Sequence, residues 1–282
     1  MEIKNKVAWI HGGSSGMGAE TAKKLVEMGA KVLISARGVK RGEALAKELG
    51  ENCIFVKADS LNYKELQAAA DVAVEKWGRL DMLLSAAGGG LPSEEEMDTA
   101  KPPVVDGLFS DDPEFIESIN EDLERGYKVN VIGPFNTARI AGKYMAQNEP
   151  GYMGERGSII LIGSIASNKI WLYPNTETAA PMPPGFYGYS YGAAKAGLLG
   201  LNRDLAFRLG EFGIRVNLIT PGFFKTALTA VVQPELWDIE NPMQIFPKHG
   251  GNPVEVAHLA VAIFENVFMN RGVYSIDAGY IG

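Results

Sequence analysis

One cysteine, Cys53, is all that the 282-residue chain contains, so no internal disulfide can form and the fold must stand on its core, as suits a reducing cytosol. Histidine is nearly as scarce, at three residues. Neither His11, His249 nor His258 belongs to a Cys, His or carboxylate cluster at metal-ligand spacing, so no metal site is expected. Basic charge is in deficit: 27 Lys and Arg against 34 Asp and Glu leave a net charge of −7. That balance argues against a nucleic-acid footprint and against an anionic membrane surface as partner. No apolar run reaches bilayer-spanning length, and the charged start, with Glu2, Lys4 and Lys6, has no apolar signal segment behind it. A cytoplasmic protein is expected.

What is present is a regular alternation of apolar strands and amphipathic helices, from Val7 to Ile276, that leaves no room for a second domain; residues 1–282 read as one α/β unit. The run Val7-Ala8-Trp9-Ile10-His11 is a buried strand that stops at glycine. Gly12-Gly13-Ser14-Ser15-Gly16-Met17-Gly18 follows, and then an amphipathic stretch, Ala19 to Met28. Strand, glycine turn and helix together suit a dinucleotide: glycines let backbone approach closely, and a helix N-terminus offers free N–H groups to a pyrophosphate. The spacing, G-x-x-x-G-x-G, departs from the G-x-G-x-x-G fingerprint. Ala30 to Ala36 is the second strand, and Arg37 follows it directly, with Lys40 and Arg41 close behind. An acidic residue at that place would bind a ribose 2′-hydroxyl and an arginine a 2′-phosphate, so NADP(H) is favoured over NAD(H), the alternative being that Arg37 is a solvated loop charge.

The third strand, Cys53 to Ala58, ends at Asp59, which is placed to meet an adenine amino group or to cap the next helix, with Ser60 and Asn62 equally placed to cap. A helix over Tyr63–Trp77 and a strand over Leu80–Ala86 lead to Ala87-Gly88, where small residues would let backbone lie against a flat ring. Residues 91–113 are a proline-studded loop. A long helical pattern then runs from Pro113 towards Gln147 with Asn130 near its middle. Gly157 to Ser164 is the clearest buried strand and ends on Ser164. Ile214 to Ile219 leads into Pro221-Gly222, Pro253 to Phe268 is a helix, and Gly272 to Ile276 is the last strand.

Tyr191 and Lys195 lie four apart at the start of a helical run, Gly192 to Phe212. Positions four apart share a helix face, and a nearby ammonium favours phenolate, so the pair reads as a tuned acid/base for a carbonyl or alcohol oxygen. The alternative is a surface pair.

The ordered set of Gly12, Gly16, Gly18, Asp59, Ala87-Gly88, Asn130, Ser164, Tyr191-x-x-x-Lys195 and Pro221-Gly222 with Thr226 resembles the short-chain dehydrogenase/reductase family over essentially the whole chain. The resemblance implies a Rossmann-like doubly wound fold with a seven-stranded parallel sheet, assembled as a homotetramer or dimer. It implies a carbonyl or alcohol as substrate, with cofactor contacts from Gly12, Ser14, Ser15, Gly16, Met17, Gly18, Arg37, Asp59, Ser60, Ala87, Gly88, Tyr191, Lys195, Pro221, Gly222 and Thr226. By the same resemblance Tyr191 is the general acid or base and Lys195 lowers its pKa and binds the nicotinamide ribose. Ser164 holds the substrate oxygen, and Asn130 fixes a water leading to Lys195.

Three departures stand out. His11 occupies a place where the family usually has threonine, which suggests a structural hydrogen bonder that takes no proton. Ser85-Ala86-Ala87-Gly88 lacks the asparagine of the usual turn. The segment between Ser164 and Tyr191 is long, and its apolar residues within about 168–188, like those of 223–246, suggest walls for a hydrophobic substrate or, for the first, an oligomer contact. Two other functions are compatible with such a chain. An enoyl reductase of this fold would have tyrosine seven residues before Lys195, where this sequence has Gly188. A dinucleotide-binding sensor would have no need of Ser164 and Tyr191 together.

Overall fold

Residues 1–88, 111–169, 189–226 and 241–282 are described by the structure, a computed structural model. Most of the proline-studded loop, and the bulk of the 168–188 and 223–246 segments, lie outside them. The strands β1 (Val7–His11), β2 (Lys31–Ala36), β3 (Cys53–Lys57), β4 (Met82–Ser85), β5 (Gly157–Ile162), β6 (Ile214–Pro221) and β7 (Val273–Ile276) form one sheet of seven, ordered β3-β2-β1-β4-β5-β6-β7. Every neighbouring pair is parallel.

Successive residues of a strand point to opposite faces, and here both faces are apolar. Val7, Trp9, Leu33, Leu83, Ile159, Leu161, Val216 and Leu218 enter one core, whereas Ala8, Ile10, Val32, Ile34, Met82, Leu84, Ile160 and Ile219 enter the other. The first core is closed by the helices α3 (Tyr63–Trp77), α5 (Gly133–Met145) and α6 (Tyr189–Gly210), and the second by α1 (Gly16–Glu27), α2 (Val39–Leu49) and α7 (Pro253–Glu265). A parallel sheet needs this double cover, which is why its strands read as unbroken apolar runs.

Sequence boundaries shift where glycine and proline act. The first helix begins at Gly16, inside the glycine motif. The last helix stops at Glu265 because Asn266 is extended and its side chain accepts from the Phe268 N–H at 3.0 Å, turning the chain. The long pattern from Pro113 is two helices, α4 (Pro113–Tyr127) and α5, joined through a π-helical turn at Lys128–Ile132. Pro134 explains the join, since it has no N–H to offer the Asn130 carbonyl four residues back. The chain runs from β1 outward to β3, then returns to β4 on the other side of β1. That reversal opens a crevice beyond the carboxyl ends of β1 and β4, the place where open α/β sheets hold ligands.

Candidate active site

The glycine turn after β1 is shaped by collisions that only glycine avoids. At Gly12 φ is +83°, and a Cβ there would lie 2.4 Å from the Ala87 nitrogen; one on Gly18 would lie 2.4 Å from the Gly12 oxygen. The turns after β1 and β4 are therefore in backbone contact, and the His11 carbonyl accepts from the N–H groups of Ala86 and Ala87 at 2.8 and 2.9 Å. Ser14, Ser15, Gly16 and Met17 are half-buried along this turn. Ser15, the N-cap of α1, makes no side-chain cap bond, and the first turn carries no acidic residue. By contrast Asn62, Asp112 and Asn252 cap their helices with side-chain oxygens. The N-terminus of α1, with no acidic residue in its first turn and no cap from Ser15, turns its positive end towards an anion, a setting that fits the pyrophosphate of a nicotinamide dinucleotide. Thr226 packs its side chain 3.3 Å from where a Gly16 Cβ would stand, and the Gly222 N–H donates to the Ile276 carbonyl at 2.9 Å. These contacts bring the segment after Pro221 over the same helix end.

Beyond β2, Arg37 is exposed and the Arg41 guanidinium folds over Gly38, so two cations stand where the ribose would lie. Asp59 does not cap α3. Its Oδ1 accepts from the Leu61 N–H at 2.9 Å, while Asn62 caps the helix by accepting from the Lys64 and Glu65 N–H groups. Ser60, expected among the cofactor contacts, turns its hydroxyl to His11 Nε2 at 2.9 Å and packs its Cβ against Gly133.

Asn130, Ser164, Tyr191 and Lys195 converge on the crevice. The π turn, by inserting one residue into the helix, holds Asn130 buried, with Nδ2 donating to the Gly126 carbonyl at 3.1 Å. Close helix packing places α6 beside it: a Cβ on Gly126 would lie 2.6 Å from the Ser190 Cβ, and one on Gly197 3.3 Å from Val131. A Cβ on Gly88 would stand 2.9 Å from Asn130 Oδ1 and 3.3 Å from Lys195 Nζ, so these three residues share one small volume. Ser164 follows β5 and caps a 3-10 turn, Ile165–Ser167, by accepting from the Ala166 N–H at 3.2 Å. Its hydroxyl also hydrogen-bonds the Tyr191 phenol.

Lys195 is 5% exposed, donates to the Ile162 carbonyl at 3.0 Å and faces the Tyr191 ring at 5.7 Å from its centroid. Burial disfavours its charge and lowers its pKa to about 8. The same burial raises the Tyr191 pKa above 10, more than the Ser164 hydroxyl lowers it. Burial thus pushes the phenol in the direction opposite to that expected beside an ammonium, and the ammonium is itself weakened by the same burial. The arrangement can hold a protonated phenol and a hydroxyl donor side by side above a buried amine.

The turn without asparagine has another tether. Thr137 donates to the Pro134 carbonyl at 2.9 Å, so the Ser85 hydroxyl donates to Thr137 at 3.0 Å and fixes the end of β4 to α5. His11 is buried with both ring nitrogens engaged, and burial lowers its pKa to about 4. Cys53 is buried and its thiol is pushed up to about 12. The Ile162 carbonyl, Thr137 and Ser167 were not legible as site residues; only the spacing Ser164-x-x-Ser167 hinted at the last. Tyr187, Gly188 and the apolar residues of 170–188 and 227–240 fall outside the described residues. Among the described residues no group of three or more His, Cys, Asp or Glu is placed to hold a metal ion, and no helix is long and apolar enough to cross a membrane.

A family model described as short chain dehydrogenase matches residues 6–237. The 3-hydroxyacyl-CoA dehydrogenase type-2 of Bos taurus is 35% identical over 275 residues, 98% of this chain and 95% of the relative. The solved 3-hydroxyacyl-CoA dehydrogenase type-2 from Mycobacterium avium is 30% identical, with a TM-score of 0.79 over 98% of this chain and 96% of that one. A 7α-hydroxysteroid dehydrogenase complexed with NADH and 7-oxo glycochenodeoxycholic acid is 26% identical, with a TM-score of 0.75 over 99% of this chain and 96% of that one.

Proposed function

The chain belongs to the short-chain dehydrogenase family, and from that premise we propose that it is an NADP(H)-dependent oxidoreductase of a 3-oxoacyl or 3-hydroxyacyl thioester. The observation that carries the reading is the convergence of Asn130, Ser164, Tyr191 and Lys195 at the carboxyl edge of the sheet, beside the N-terminus of α1 and two arginines. The thioester comes from the named activity of relatives similar over nearly the whole chain.

When bound, the nicotinamide supplies or accepts the hydride at the substrate carbon. In reduction Tyr191 gives its phenolic proton to the carbonyl oxygen, and Ser164 holds that oxygen by donating a hydrogen bond. Burial keeps Tyr191 protonated at neutral pH, which is the form a proton donor needs. Lys195 holds the nicotinamide ribose, and Asn130 orients the water through which a proton returns to the site. In oxidation the proton moves the other way and Tyr191 is the base. Arg37, with Arg41 behind it, binds the 2′-phosphate. We also place the protein in the cytoplasm as a homotetramer or dimer, a state that light scattering on the purified chain checks.

NADPH and NADH oxidation followed with 3-oxoacyl thioesters, and with ketones, aldehydes and quinones beside them, tests the reading, with Tyr191→Phe run in parallel. Loss of the proton donor is expected to lower turnover by about 10²- to 10⁴-fold. Full turnover in the variant would overturn the role of Tyr191, and dinucleotide binding without turnover on any substrate would favour the sensor.

A further inference from the structure

We infer that the His11 imidazole is the positioning residue of the adenosine end of the cofactor site, a role that rests on the dinucleotide reading above. His11 stands at the carboxyl end of β1, the strand between β2 and β4. Its ring reaches Ser35 on β2 through Nδ1 at 2.9 Å and Ser60, just beyond β3, through Nε2 at 2.9 Å. Those two strand ends, carrying Arg37 and Asp59, are where an adenosine phosphate and its base lie in a doubly wound sheet.

The proton directions are set by Trp9. Its indole N–H can only donate, and it does so to Ser35 Oγ at 2.7 Å. Ser35 has one proton, and its hydroxyl bonds among the described residues are to Trp9 and His11, so that proton goes to Nδ1. Nε2 then carries the ring proton and donates to Ser60 Oγ. The chain Trp9, Ser35, His11, Ser60 is anchored in the core, where Trp9 is 0% exposed, and it ends at the segment that carries Asp59. Gly133 lies against the Ser60 Cβ and leaves the side chain little room to settle elsewhere. A threonine hydroxyl at position 11 is shorter than the imidazole, and one oxygen cannot span both serines.

The backbone of the same residue serves the other half of the site. The His11 carbonyl accepts from Ala86 and Ala87, beside Gly88, Asn130 and Lys195. A side-chain replacement leaves those bonds in place. The ring therefore governs the adenosine half and the carbonyl the nicotinamide half, and the two can be separated experimentally.

The test is calorimetric binding of two fragments, 2′,5′-ADP and reduced nicotinamide mononucleotide, to wild type, His11→Ala and His11→Gln. Loss of the ring's two buried hydrogen bonds, of which the one to Ser60 holds the segment carrying Asp59, is expected to weaken 2′,5′-ADP about tenfold in His11→Ala, with the mononucleotide within about twofold of wild type. Glutamine, whose amide NH2 can donate to one serine while its oxygen accepts from the other, is expected to recover most of the loss. Ser60→Ala, which removes only the far end of the chain, is expected to weaken 2′,5′-ADP in the same sense and guards against a His11 variant that fails to fold. Equal loss for both fragments, no loss for either, or glutamine as poor as alanine would overturn the inference. Failure of 2′,5′-ADP to bind wild type at all would instead refute the cofactor reading.

Discussion

Replacing Lys195 with methionine should stabilise the folded protein while removing its activity. In wild type the amine is buried and its pKa falls from 10.5 to about 8. At about 1.4 kcal/mol for each tenfold, holding the charged form in the fold at pH 7 costs about 3 kcal/mol. Methionine fills a similar volume without charge, but it leaves the Ile162 carbonyl without the 3.0 Å donor, a loss of about 1–2 kcal/mol. The net gain is about 1–2 kcal/mol, which for a chain of this size raises the melting temperature by about 2–6 °C. The sign with pH is specific. Between about 8 and 10.5 the unfolded chain binds a proton that the folded chain has released, so wild-type stability rises with pH across that window. The variant has no such group, and its advantage should shrink to near zero by about pH 9.5. Scanning calorimetry of both proteins at neutral and alkaline pH measures this directly. A variant that melts below wild type at pH 7, or an advantage that stays constant as pH rises, would refute the argument that the site stores unfavourable desolvation at Lys195.

Two further outcomes are expected. Arg37→Asp should move preference from NADPH towards NADH by replacing the cation at the end of β2 with a ribose-binding carboxylate, read as the ratio of kcat/KM for the two cofactors; an unchanged ratio would remove the basis for the NADP(H) assignment. Gly12→Ala should lower stability by about 3 kcal/mol, because its Cβ meets the Ala87 nitrogen at 2.4 Å in addition to the strain of a positive φ. Gly78→Ala, at φ +76° in the left-handed region with nothing within 4 Å, supplies the strain alone and should cost about 1–2 kcal/mol. Equal melting temperatures for the two variants would show that the turns after β1 and β4 are not in the contact described.

Much of this was written in local patterns. Buried parallel strands are continuous apolar runs, and Val7–His11 and Gly157–Ile162 declare themselves in that way. The Tyr191 and Lys195 spacing, the glycine motif and the cap at Asn62 are also local, because each depends on residues within a turn or two. What stayed hidden depends on distant partners. Tyr191 looked acidic beside a cation, yet burial by elements far along the chain reverses the direction of its shift. The hydroxyl of Ser60 meets His11, 49 residues earlier, a partner that no local pattern announces. The place of Asn130 rests on Pro134, whose effect on the helix could have been read, and on Gly126 and Gly197, whose partner helices could not.

The π turn at Lys128–Ile132 also works as a phase setting between two helices. Each helical residue advances the direction of a side chain by about 100°, and the turn's extra residue lets Asn130 face Lys195 while Thr137, Ala138 and Ala141 still face the sheet. Substitution along this stretch changes one side chain at a time. Deletion of a single residue would rotate everything on one side of it against everything on the other. Either the amide would swing out of the crevice or the apolar stripe of α5 would leave the core, so in this stretch the chain's length is constrained more tightly than its composition.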